Sequence, residues 1–210
     1  MIEVEPLAAL QLAQDQIEKL RLFTNDIAER GEELGLIGPK EAARIWTRHV
    51  LNSAIVAPLL SAGTKVVDIG TGGGMPGLVL AIVRPDVNFK LVEPMERRCA
   101  WLNEQIATLK LENVDVLRGR AEEFHGAFEA DVVTARAVSA LRKLIPLTAP
   151  LLNNGGELIL LKGDAVEAEI EAAQKQIKKF KLKDVRSEIL GVGVLDETTR
   201  VFRATVERVK

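Results

Sequence analysis

Hydrophobic and polar positions change period once along the chain. Over the first sixty residues the spacing is helical. Leu10, Ile17, Leu20 and Ile27 form one stripe of a helix that starts at Pro6, a residue suited to a first turn, and stops at Gly31. Gly35 and Gly38-Pro39 make a turn, and a second helix is expected over 41–59 with Ile45, Trp46, Val50 and Ala54 inward. Two such helices cannot bury themselves alone. Residues 1–60 are therefore expected to be a helical extension packed on the domain of residues 61–210. From Lys65 onward, short apolar runs alternate with helical stretches. Strands are expected at 65–69, 88–93, 114–117, 131–134 and 157–161, with helices at 76–83, 96–109 and 139–151 between them. A charged helix over 165–180 precedes two closing strands, 185–194 and 200–209, which suit a hairpin at one sheet edge. The expected fold is α/β and Rossmann-like, a seven-stranded, mostly parallel sheet with helices on both faces and an N-terminal helical extension.

The densest local signal is Asp68-Ile69-Gly70-Thr71-Gly72-Gly73-Gly74-Met75-Pro76-Gly77, between the first strand and its helix. Glycines there let the backbone turn tightly and approach a ligand with no Cβ in the way. In a doubly wound sheet this turn lies at the carboxyl ends of the strands, where ligands bind. Two patterns overlap. Gly72, Gly74 and Gly77 fit the dinucleotide fingerprint, whereas Gly70, Gly72 and Gly74 fit the G-x-G-x-G of enzymes that use S-adenosyl-L-methionine. Asp68 favours the second. A carboxylate at the strand tip repels a pyrophosphate but suits a sulfonium donor that carries an ammonium group. NAD and an unliganded turn remain as alternatives.

Downstream positions agree with a nucleoside. Glu93 ends the second strand about 20 residues after the loop, where an acid can accept ribose hydroxyls. Ala121 and Glu122 follow the third strand, at the expected adenine position; the plainer reading of Glu122 is a capping acid. Arg136 follows the fourth strand, whose tip points at the transferable group. His49 reads either as a core-edge histidine or as a contact to cofactor or RNA, and Cys99 as a buried, inert thiol within a helix.

Charge adds a qualification. The chain carries −2 overall, which by itself argues against a nucleic-acid partner. Nine acidic and four basic side chains give the first 41 residues −5, which leaves +3 for the rest. Basic groups cluster at Arg97-Arg98, Arg118–Arg120, Lys175–Arg186 and Arg200–Lys210, the third reading either as a solvated face or as an RNA-contacting flank. One cysteine and two histidines make a metal site an unsuitable reading. The acidic start and the lack of an apolar run of about 18 residues suggest a soluble, cytoplasmic protein with no membrane contact. No feature calls for a protein partner, and the expectation is a monomer.

Taken together, Arg48-His49, the glycine loop ending Met-Pro-Gly, Glu93, Arg97-Arg98, Leu111-Glu112-Asn113-Val114, Arg120-Ala121-Glu122, Ala135-Arg136-Ala137 and Leu161-Lys162-Gly163 resemble the glucose-inhibited-division protein B family. The resemblance runs from about Leu34 to Arg203. It implies a class I methyltransferase that moves a methyl group from S-adenosyl-L-methionine to N7 of a guanine in 16S ribosomal RNA, guanine 527, with the rRNA or the small ribosomal subunit as partner. It further implies that Gly70 and Met75 line the methionine part of the cofactor, that Ala121 and Glu122 bracket the adenine, and that Arg136 closes the pocket. Arg120, Lys162 and Arg200 match positions that face RNA, and His49 joins them as a candidate. The chain departs from the family at Gly35-Leu36-Ile37 and at Asn52, where Asn-Leu-Thr and Asp are common. Guanine N7 already has a free lone pair, so no general base is needed, and Arg136 and Lys162 are expected to position substrate rather than move protons. A small-molecule methyltransferase and a non-catalytic cofactor-binding module stay open as alternatives.

Overall fold

In the computed structural model, which describes residues 11–207, seven strands form one sheet in the order β3-β2-β1-β4-β5-β7-β6. The strands are β1 (Lys65–Ile69), β2 (Asn88–Glu93), β3 (Val114–Arg118), β4 (Ala130–Arg136), β5 (Leu152–Lys162), β6 (Leu182–Leu190) and β7 (Thr199–Val206). The first five are parallel, and β7 runs antiparallel between β5 and β6. The order in which strands are added reverses between β1 and β4, which opens a crevice at the carboxyl ends of the parallel strands.

Alternation along the strands divides the core between two faces. Val66, Leu91, Val132 and Ile159 point to one face, Val67, Val92, Val133 and Leu158 to the other. The first face is covered by α1 (Gln14–Arg30), the segment 41–59, α3 (Gly77–Val83) and α4 (Glu96–Leu109); the second by α5 (Leu141–Thr148), α6 (Val166–Ala172) and α7 (Gln174–Lys179). The extension's own apolar stripe, Leu20, Phe23 and Ile27, is fully buried. Phe23 packs on Trp101 of α4 at 6.0 Å between ring centroids, and the Trp101 indole N–H donates to Asp26 at 2.6 Å.

Several expected elements differ, among them the first closing strand, expected over 185–194 and found over 182–190. The first helix begins at Gln14, after Gln11 takes a positive φ of 48° and the Gln16 side chain accepts the Ala13 N–H; Pro6 and Leu10 lie outside the described residues. The continuous helix over 41–59 is instead a series of tight and wide turns. A 3-10 turn (Glu41–Arg44) leads into a π-helical stretch (Ile45–Leu51), one α turn, α2 (Asn52–Ala54), and a 3-10 turn at Pro58. The wide π turns bury Ile45, Trp46, Val50 and Leu51 together, which a regular helix could not do on so narrow a face. The helix over 165–180 breaks at Ala173, which is fully buried. The final strand ends at Val206, and Val209 lies outside the described residues.

Candidate functional site

The glycine loop lies at the tip of β1, between the end of β2 and the start of α3. Gly70, Gly72 and Gly74 all have positive φ, from 55° to 76°. At Gly74 a Cβ would lie 2.8 Å from Leu78, and at Gly70 it would lie 2.9 Å from Val138, so side chains are excluded by space as well as by conformation. Two buried acids hold the loop. Asp68 Oδ2 accepts the Gly77 N–H at 2.9 Å, and Glu93 accepts the N–H of Gly72 and of Met95, each at 3.0 Å. Asp68 has no solvent exposure. Burial raises its carboxyl to about 7, and the Thr71 hydroxyl, the Gly77 N–H and the Arg136 charge offset this only in part.

The extension backs the loop from behind. Gly73 fits against Ile27 and the Leu36 carbonyl, and Arg98 donates to the Gly35 carbonyl at 2.7 Å. The turn at Gly35-Leu36-Ile37 thus supports the cofactor loop.

On the other side lies a groove of about 540 Å³ at the tips of β4, β5 and β7. Arg48, His49, Arg136, Lys162 and Arg200 line it, with Asp164 and Glu197 as its acids. Arg136 is the side chain shared between loop and groove. One guanidinium nitrogen reaches the Arg48 carbonyl at 3.2 Å; the other lies 2.6 Å from His49 Nδ1 and 3.9 Å from Met75 Sδ. Burial lowers the Arg136 pKa to about 10, which leaves it charged. The next residue, Ala137, has a φ of 56°, a left-handed turn that carries the chain sharply away from the Arg136 position.

The other expected residues divide. Ala121 is buried and begins a 3-10 turn after β3, with Glu122 exposed beside it. The capping acid of that turn is Glu123, which accepts the Arg120 N–H at 2.8 Å, so Glu122 is left facing out. Arg120 is exposed, and Arg200 reaches the exposed Asp164 at 2.8 Å. Lys162 is only 9% exposed; it bonds Glu169 at 2.7 Å and the Ser139 carbonyl at 2.9 Å. Glu169 also accepts the Leu141 N–H that opens α5, so Lys162 belongs to a structural bracket. His49 is part-buried and lines the groove. It is held between Arg136 and Glu41, whose carboxylate lies 2.6 Å from Nε2. Cys99 is buried, its thiol against the Glu93 carbonyl. The basic stretch 175–186 does not flank the site. Leu182 pairs with Val206 and Arg186 with Arg203, whereas Lys162 pairs with Arg200, which places the strand part of the stretch about 10 to 20 Å down the sheet.

A metal-free nucleoside cofactor with a positive sulfur fits the loop. Thr134 Oγ1 is buried there without a hydrogen-bond partner, the Asp68 carboxyl and the Thr71 hydroxyl are buried side by side, and a Cβ at Gly72 would meet nothing closer than 3.9 Å. Each Glu93 oxygen keeps a lone pair beyond the backbone bond it already accepts.

Comparison with known proteins agrees. Residues 16–193 match the family model for rRNA small subunit methyltransferase G. The chain is 61% identical over 205 residues to the ribosomal RNA small subunit methyltransferase G of Leifsonia xyli, covering 98% of each, and 60% identical to that of Clavibacter michiganensis, covering 98% of this chain and 97% of the relative. Among solved structures, TYW2 of M. jannaschii in complex with AdoMet superposes with a TM-score of 0.60 over 78% of each chain at 20% identity, a likeness of fold.

Proposed function

The chain belongs to the rRNA small subunit methyltransferase G family, and from that premise we propose that it transfers a methyl group from S-adenosyl-L-methionine to N7 of one guanine in 16S ribosomal RNA, guanine 527 by family analogy. The observation that carries this reading is the junction at Arg136 of two unlike half-sites. One is a glycine loop lined by acids, the other a groove rich in cations. The first suits a cationic cofactor and the second an anionic polynucleotide.

When bound, the cofactor supplies an electrophilic methyl group on a positively charged sulfur. Gly70, Gly72, Gly74 and Met75 would hold its methionine part, Asp68 its ammonium side, Glu93 its ribose, and Ala121 with Glu122 its adenine. Guanine N7 needs no deprotonation, so the reaction asks no general base of the groove, whose acids Asp164 and Glu197 are paired with Arg200 and Arg44. The His49 Nδ1 lone pair is occupied by Arg136, and the Lys162 ammonium is paired with Glu169. What remains for the protein is alignment of nucleophile, methyl and leaving sulfur in a water-poor junction. Arg136 stands where it can fix the base. Arg120 and Arg200, both outside the buried frame, are the phosphate contacts.

The test is transfer of labelled methyl from S-adenosyl-L-methionine to small subunits, and to naked 16S rRNA, from cells lacking this modification. One labelled guanine, cleavable by N7-specific chemistry, is expected. No transfer to either substrate would sink the reading.

A further inference from the structure

Arg136 is buried and charged, yet no carboxylate bonds it directly. Its side-chain partners are a histidine nitrogen and a thioether. We propose that Glu41 and His49, both in the N-terminal extension, are positioning residues for methyl transfer: they form a relay that holds the Arg136 guanidinium at the junction of loop and groove. The proposal rests on the reading of Arg136 as the residue that fixes the substrate base.

The chemistry of the partners determines the protonation of the relay. A guanidinium only donates, so the His49 Nδ1 at 2.6 Å from it must accept. The ring proton therefore resides on Nε2, which donates to Glu41 Oε2 at 2.6 Å. The same carboxylate oxygen forms an ion pair with Arg48, 2.9 Å from its Nε. Burial alone would raise the Glu41 carboxyl, but His49 and Arg48 outweigh it and hold the group below its usual range, ionised. The histidine is held neutral by burial and by the Arg136 charge. A carboxylate thus acts on Arg136 through an imidazole, which orders the guanidinium without cancelling its charge by direct contact. The wide turns of Ile45–Leu51 present both the Arg48 carbonyl and the His49 ring to β4, so the extension supplies two of the atoms that hold Arg136.

Nitrogen NMR of the protein labelled in its histidines reads the relay without any substrate. A neutral His49 with its proton on Nε2 is expected, and its signal should move in Glu41→Gln. A proton on Nδ1 would overturn the proposal. Methyl transfer to small subunits then tests the function of the relay. His49→Ala is expected to lower kcat about tenfold, the order of one hydrogen bond to a charge, with the cofactor KM nearly unchanged. His49→Asn, whose amide oxygen can stand in for Nδ1, should recover most of that loss. His49→Ala combined with Arg136→Ala should be no slower than Arg136→Ala alone; additive losses would show that His49 acts independently of Arg136 and would overturn the relay. If the unaltered protein transfers nothing to the ribosomal substrate, the assigned substrate fails, and the NMR signal still decides the relay.

Discussion

The loop between β1 and α3 and the groove at the tips of β4, β5 and β7 lie side by side, but they are held in different ways. The loop is one continuous stretch, and its form comes from backbone: positive φ at Gly70, Gly72 and Gly74, with buried carboxylates on the Gly72 and Gly77 N–H groups. The groove is built from side chains of four distant segments, near residues 48, 136, 162 and 200, each held by an ion pair or hydrogen bond to another segment. A backbone-built site tolerates almost no added atom. A side-chain-built site loses its contacts one at a time.

The largest effect should come from adding one carbon to the loop. In Gly77→Ala the new Cβ would lie 2.3 Å from Leu91 and 2.7 Å from Asp68 Oδ2, both fully buried. A loss of about 3 kcal/mol in urea unfolding is expected, together with loss of cofactor binding by calorimetry. Near-wild-type stability would mean that the loop is not the rigid half.

Asp68→Asn should give a smaller, pH-dependent change. The Asp68 pKa is raised from 3.8 to about 7 by burial, so the native state holds this proton more tightly than the unfolded chain. The resulting cost is absent near pH 3.8, grows as pH rises toward 7, and is complete above that. In cofactor-free protein the Asn variant should therefore melt at higher temperature than the wild type at pH 8, with the gap closing toward pH 4. A gap independent of pH would contradict a buried carboxylate here.

The smallest effects separate two cations of the groove. Lys162→Ala should cost about 2 kcal/mol, less than a fully buried pair because Glu169 is 23% exposed. Arg200→Ala breaks only an exposed pair and should change stability by less than about 0.5 kcal/mol. It should instead lower the salt dependence of RNA binding by about one phosphate contact. Equal stability losses would erase the distinction between frame and contact.

The same contrast explains what could be read from the sequence. The bounds of β1, β2 and α4 follow from local apolar runs and match those expected, 65–69, 88–93 and 96–109. The glycine loop was legible because the backbone conformation itself demands a residue type. The groove was legible only in its members, not in their partners. Nothing local in Lys162 points to Glu169, and nothing in His49 points to Glu41, eight residues earlier. A regular helix over 41–59 would not place Glu41 and His49 on one face, since eight positions at 100° leave them about 80° apart. The 3-10 turn followed by the π-helical turns instead brings the two side chains to 2.6 Å, in a segment packed on α1 and the sheet.

The position of β7 has a consequence for how the molecule comes into being. It is the last of the seven strands in the chain, yet it is interior, and among the described residues β6 pairs with no other strand. Until β7 arrives, β5 presents an open edge and the groove lacks Thr199 and Arg200. The glycine loop and the extension behind it are complete more than a hundred residues earlier. In a chain made from its N-terminus, the glycine loop and the extension behind it are therefore present well before Thr199 and Arg200 complete the groove.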